Sequence, residues 1–88
     1  DELIVKKNVD SITVNAEYKI EDLEKFFNIK IPIEQDLEID TVGGLVFSKI
    51  NRIPTNNESI EINDLIKIKI IKANQRKILT IEIRKVSN

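Results

Sequence analysis

Two stretches near the C-terminus constrain the fold most. Leu65-Ile66-Lys67-Ile68-Lys69-Ile70-Ile71 alternates apolar and charged residues from Ile66 to Ile70, and Leu79-Thr80-Ile81-Glu82-Ile83-Arg84 alternates in the same way. A period of two in β-branched residues puts the apolar side chains on one side of an extended chain, so both stretches read as half-buried strands. The intervening Ala73-Asn74-Gln75-Arg76 is short and polar, which makes the pair a hairpin. With Asn74 and Gln75 as the turn, Ile70 faces Leu79, Ile68 faces Ile81 and Ile66 faces Ile83. On the other side Lys67 meets Glu82 and Lys69 meets Thr80. Asn-Gln is a weaker turn signal than Asn-Gly, so a longer loop stays open. In this register Ile71, Ile78 and Val86 gather on the outer, charged face, an apolar spot suited to another element or a partner chain.

A sheet with one apolar face needs cover, and the remaining sequence supplies it. Ser59-Ile60-Glu61-Ile62-Asn63 is a third alternating strand, turned at Asn63-Asp64. Residues 3–6 and 11–14 read as two more strands, with a turn over 8–10. Ile20, Leu23, Phe26 and Phe27 form one apolar stripe of a helix over 20–28. Glu21 and Asp22 suit its positive N-terminal end, and Asn28 suits its stop. A second helix is expected over 42–50, with Asp40 or Thr41 as N-cap and Arg52-Ile53-Pro54 ending it. It contains Gly43 and Gly44, each costing about 1 kcal/mol relative to Ala. Close approach of helix to sheet would offset that cost, and so would a phosphate-binding turn with Arg52 beside it. The pair matches neither GxGxxG nor a Walker loop, so packing is the favoured reading. Arg52 then pairs with an acid such as Asp40 or bonds to helix-end carbonyls.

Composition excludes several function classes. Eighty-eight residues allow one small domain. With no Cys and no His, thiolate chemistry, Cys-based zinc sites and the commonest general base are gone. A net charge of -1 and scarce aromatics give no support to nucleic-acid binding. No apolar run approaches the roughly 20 residues of a membrane span, so direct membrane insertion of this segment is not expected. Residues 1–44 hold five Lys against eleven Asp or Glu, and residues 45–88 hold nine Lys or Arg against four. The simplest expectation is that the two halves interleave in one sheet and neutralise each other. Glu34, Asp36, Glu38 and Asp40 alternate on an extended segment. Asp36, Glu38 and Asp40 are therefore candidate ligands for a divalent cation, although the spacing is not that of an EF-hand. A chain that begins Asp1-Glu2-Leu3 and lacks Met is expected to be a piece of a longer protein.

The order strand, strand, helix, acidic loop, helix, strand, hairpin resembles the CorC/HlyC, or transporter-associated, domain. Glu38-Ile39-Asp40-Thr41-Val42-Gly43-Gly44-Leu45-Val46 is similar to that family's acidic-Asp-Thr-x-x-Gly-Leu-Val signature, and Arg52-Ile53-Pro54 to its Gly-Arg-Ile-Pro segment. Ile12-Thr13-Val14-Asn15-Ala16 sits where the family has an apolar-x-Val-Asp-Gly strand end, and Ile20-Glu21-Asp22-Leu23 matches its first helix. The likeness covers essentially the whole chain. Four turn positions depart from it: Asn15-Ala16, Asn51, the 55–59 segment and Asn74-Gln75. All four are turn positions, and Asn tolerates positive φ better than most non-glycine residues.

The fold expected is α+β: a small mixed sheet of about five strands, two short helices on one face and a C-terminal hairpin. The resemblance implies a single-domain regulatory or interaction module over 1–88, without catalysis or cofactor. It would lie on the cytoplasmic side of a membrane ion transporter of the magnesium and cobalt efflux or hemolysin-like kind. Neighbouring CBS and transmembrane domains are the implied partners, and a homodimer is possible. A small-ligand site for FAD, an adenine nucleotide or a divalent cation is the competing reading. It would use Gly43, Gly44 and Arg52. The flavin label follows from fold likeness alone, which is a weak warrant.

Overall fold

The computed structural model describes residues 3–33 and 38–86. The alternating segments form five strands: β1 (Ile4–Lys7), β2 (Ser11–Asn15), β3 (Ser59–Ile62), β4 (Ile66–Ala73) and β5 (Ile78–Lys85). They lie in the order β1-β2-β5-β4-β3, antiparallel at every pairing. The α+β class and five strands are as expected, but the sheet is not mixed. Every neighbour is joined by a hairpin or by a crossover that returns the chain in the opposite sense. Two helices, α1 (Ile20–Phe27) and α2 (Val42–Ile50), separate β2 from β3.

Burial follows the alternation. Ile12, Val14, Ile62, Ile66, Ile68, Ile70, Ile81 and Ile83 are fully enclosed on one sheet face, in one cluster with Ile20, Leu23 and Phe27 of α1 and Val42, Leu45 and Val46 of α2. Both helices therefore cover the same face. Lys85, also on that side, reaches over to donate to the Phe27 carbonyl at 3.4 Å, a cation at the negative end of α1. Asn28 ends α1 and Asn51 ends α2, both left-handed, at φ 55° and 57°. The second helix thus stops at Asn51, three residues before Pro54.

The hairpin register is displaced by two residues from the expected one. Ile70 pairs with Ile81, Ile68 with Ile83, Lys69 with Glu82 and Lys67 with Arg84. The cause is a four-residue loop over 74–77, held by Asn74: its backbone N–H donates to the Lys77 carbonyl, and its Oδ1 accepts from the N–H groups of Arg76 and Lys77. A shift by two keeps each side chain on its face, which is why alternation alone could not reveal it. Near the loop Ile71 and Leu79 are each an extra residue, one on each strand, so the irregularities compensate. They turn Ile78 inward to 7% exposure. Ile78 is a core residue and not part of the outer face. Ile71 is exposed, and Val86 is half-buried with its N–H donating to the Leu65 carbonyl.

The two halves do not neutralise each other within the sheet. β1 and β2 contain no Asp or Glu; of the described acids of the first half, Glu21, Asp22 and Glu24 lie on α1, Glu38 and Asp40 lie before α2, and Asp10 and Glu17 lie in the connections on either side of β2.

Candidate functional site

The signature segment folds into the junction where the two helices begin. Lys19 and Thr41 form an isolated antiparallel bridge: the Ile20 N–H donates to the Asp40 carbonyl and the Val42 N–H to the Tyr18 carbonyl, each at 2.9 Å. Thr41 caps α2 by accepting from the Gly44 N–H at 3.2 Å. The Gly43 N–H donates to the Ala16 carbonyl at 2.8 Å. A Cβ on Gly43 would lie 2.9 Å from the Ala16 Cβ and 3.1 Å from its carbonyl oxygen. Gly43 is thus what allows α2 to touch the end of β2. The first N–H groups of α2 are all occupied, which leaves none aimed at an anion. Tyr18 is buried in the same junction, and burial, helped by Asp22, raises its phenol pKa.

Arg52 does not join this junction. Its guanidinium makes a bidentate pair with Glu58, with Nη1 to Oε1 at 3.0 Å and Nη2 to Oε2, where Asp40 or helix-end carbonyls were expected. The Thr55 N–H donates to the same carboxylate at 3.0 Å. The Arg52 hydrogen bonds, then the Thr55 N–H, hold the Glu58 carboxyl down at about 2. Arg52 therefore closes the 52–58 loop, and Gly43, Gly44 and Arg52 do not converge on one point.

Asp40 forms an ion pair with Lys19 at 3.0 Å, which raises the lysine pKa through that hydrogen bond and the carboxylate charge. Glu38 is exposed, and Asp36 lies outside the described residues. Among the described residues no three Asp or Glu side chains are arranged to hold a metal. An isoalloxazine ring needs a flat apolar slot. Phe26 and Phe27 pack edge to face at 4.9 Å, and Phe47, on α2, is half exposed by itself. These residues do not form such a slot.

Two surface features escaped the sequence reading. A groove of about 630 Å³ runs from Ile53 and Pro54 to Ala73 and Asn74, and a smaller one of about 350 Å³ connects Ile53 to Phe47 and Gly43. The Arg52-Ile53-Pro54 motif was the only signal for them. The other is a depression of about 470 Å³ on the outer sheet face, lined by Lys67, Lys69 and Arg84 with Glu82, Ser59 and Asn57. The displaced register had hidden it by assigning Lys67 to Glu82.

Residues 5–87 match the CorC_HlyC family, described as the transporter associated domain. Hemolysin C of Rickettsia prowazekii is 32% identical over 77 residues, covering 88% of this chain and 25% of that protein. The chain spans about a quarter of the length of such curated relatives. A crystallised region described as associated with a Mg2+ and Co2+ transporter (CorC), from Neisseria meningitidis MC58, superposes with a TM-score of 0.78 at 25% identity, over 96% of this chain and 99% of the other. The transporter associated domain of a CBS domain protein from Porphyromonas gingivalis shares the fold, with a TM-score of 0.71 at 15% identity over 97% and 99% of the two chains. No helix among the described residues is long and apolar enough to cross a membrane.

Proposed function

This chain belongs to the CorC/HlyC transporter-associated domain family, and we propose that it is a non-catalytic regulatory module of a membrane ion transporter. The parent would be of the magnesium and cobalt efflux or hemolysin-like kind. The module sits on the cytoplasmic side, next to CBS and transmembrane domains. One observation carries the reading: the chain accounts for about a quarter of its relatives' length, yet it folds around one core, and among the described residues no element covers the outer face of β3 and β4. A layer that is closed on one side and open on the other is built to meet another body. Docking there, or pairing of two copies, would bias the membrane domain between its states by differential contact. The small-ligand reading has less support, because the α2 N-terminus is already hydrogen-bonded and Arg52 is committed to Glu58.

The test is divalent-cation flux through the parent protein with and without this domain. Flux that persists but loses its response to cytoplasmic conditions supports a regulatory module. Unchanged flux and unchanged response would exclude it.

A further inference from the structure

We propose that the uncovered face of the sheet docks an acidic, Asp/Glu-rich segment of the parent protein lying outside these residues. This deepens the regulatory reading and rests on it. The face is defined by two cross-strand rows. Ser59, Lys69, Glu82 and Thr13 form one, and Glu61, Lys67, Arg84 and Ser11 the other. In the second row Lys67 and Arg84 are direct partners. Like charges directly opposite each other destabilise a sheet, and Glu61 opposite Lys67 and Glu82 opposite Lys69 offset this only in part, since the two rows set three cations against two carboxylates. Among the described residues, Lys67 and Lys69 make no ion pair within 4.0 Å, and Arg84 reaches Glu82 only at 4.0 Å. Beside these cations, Ile71 adds one exposed apolar side chain on the same face of β4.

The chemistry selects the occupant. Backbone N–H groups of the central strands are spent in the ladder, and lysines are flexible point charges without a rigid fork. Such a surface does not cradle a small anion. It matches an extended or helical acidic surface that spreads its carboxylates over several cations. An anionic lipid surface is taken by unbroken clusters of Lys and Arg, whereas Glu61 and Glu82 interrupt this face. A second copy would have to offer its helical layer. Two of the acids there are already engaged, Asp40 by Lys19 and Glu24 by the Ile31 N–H at 2.7 Å, and a face-to-opposite-face contact builds open chains, not closed dimers. About three quarters of the length of relatives lies outside the matching region, ample for a complementary segment.

Zero-length carbodiimide cross-linking of the purified parent, read by peptide mass spectrometry, tests this. Lys67 or Lys69 is expected to become amide-linked to an Asp or Glu outside this chain, with the yield falling several-fold in high salt and in Arg84→Gln. Links from these lysines to Glu21 or Asp22 of another copy would overturn the proposal in favour of self-association. Reaction at Lys25 and Lys49 with none at Lys67 or Lys69 would overturn it too. So would sedimentation with phosphatidylserine vesicles that depends on these cations, in the absence of any such link. Lys67→Gln/Lys69→Gln in the isolated chain is expected to leave Tm nearly unchanged, since both side chains are exposed and relief of the Lys67–Arg84 repulsion offsets loss of the Glu61 and Glu82 neighbours, so lost docking is not lost folding. The same variant in the parent separates the two levels. If deleting the domain alters regulation while the variant does not, the docking face is wrong and the regulatory reading stands. If the cross-link forms while deletion leaves regulation intact, the docking face stands and the regulatory reading falls.

Discussion

On the inner side of β4, Ile66, Ile68 and Ile70 are fully enclosed, while Lys67, Lys69 and Ile71 on the outer side of the same strand are exposed. The inner side is matched row by row, with Ile12, Ile83 and Ile68 in one line and Val14, Ile81 and Ile70 in the next. The outer side sets Lys67 against Arg84. One backbone thus carries a face optimised for its own packing and a face that is not. The two-residue period of the strand confines the packing to one side, so the outer side can be changed without disturbing the core.

The sharpest way to break that comparison is to mutate neighbours on β4. Ile68→Ala removes a fully buried side chain from the middle of the sheet and is expected to cost about 2–5 kcal/mol. Lys69→Ala, one residue along and facing outward, is expected to stay within about 0.5 kcal/mol. Denaturation midpoints of the two variants decide it, and comparable losses would mean that the outer face is also load-carrying structure. Next in size is the helix junction. Gly43→Ala forces a Cβ against the rigid Ala16 backbone and is expected to destabilise by about 1–3 kcal/mol despite the better helix propensity of Ala. Gly44→Ala meets the Thr41 hydroxyl at 3.2 Å and the Ile39 side chain at 3.5 Å, which can yield, so it should be close to neutral. Equal effects at the two glycines would contradict the close approach of α2 to β2.

The Arg52–Glu58 pair gives a pH signature. Glu58 ionises at about 2 in the folded chain against an ordinary 4.5. Folding therefore favours its charged form, and the contribution is complete above about pH 4.5 and is lost as pH falls through about 2. The stability difference between the native chain and Glu58→Gln should shrink across that interval when followed by thermal melts. A difference that stays constant from about pH 4.5 to about pH 2 would show that Arg52 does not hold this carboxylate in solution.

The inner face was legible in the sequence because burial writes a period into it. Both helices, their left-handed or capping ends at Asn28 and Thr41, the presence of five strands, and the inward Ile66, Ile68, Ile70, Ile81 and Ile83 followed from spacing. What did not follow depends on choices that leave the period unchanged. A register slip of two residues preserves the alternation, so the Asn74 loop and the Lys67–Arg84 pair were hidden. Paired bulges invert parity locally, so Ile78 was assigned to the wrong side. The four turn exchanges use Asn in two different ways. Asn51 and Asn57 take positive φ, whereas Asn15 and Asn74 use their side-chain oxygens to hold the backbone of Glu17, and of Arg76 and Lys77. Residue type alone does not distinguish these uses. Of the candidate site residues, the sequence located the helix junction but could not supply the partner of Arg52, since Glu58 meets it only through a loop without periodicity.

The smallest expected effect tests what holds the helix junction together. Lys19 and Asp40 form its most visible ion pair, yet their side chains are 53% and 74% exposed, where water screens the attraction and ordering two side chains offsets most of the gain. The backbone bridge beneath them does not depend on either side chain, because the Ile20 and Val42 N–H groups bind main-chain carbonyls. Lys19→Ala should therefore shift the thermal midpoint little, and the residual shift should vanish in high salt. The pair raises the Lys19 pKa, so whatever it contributes is present below the ordinary lysine value and disappears as pH rises through the raised one. Thr41→Ala, which removes the cap from α2, should cost more, about 1 kcal/mol. If Lys19→Ala proves the more damaging of the two, the junction is held by charge, and the acidic helical layer shares with the basic sheet face a dependence on ionic strength that only the latter is expected to show.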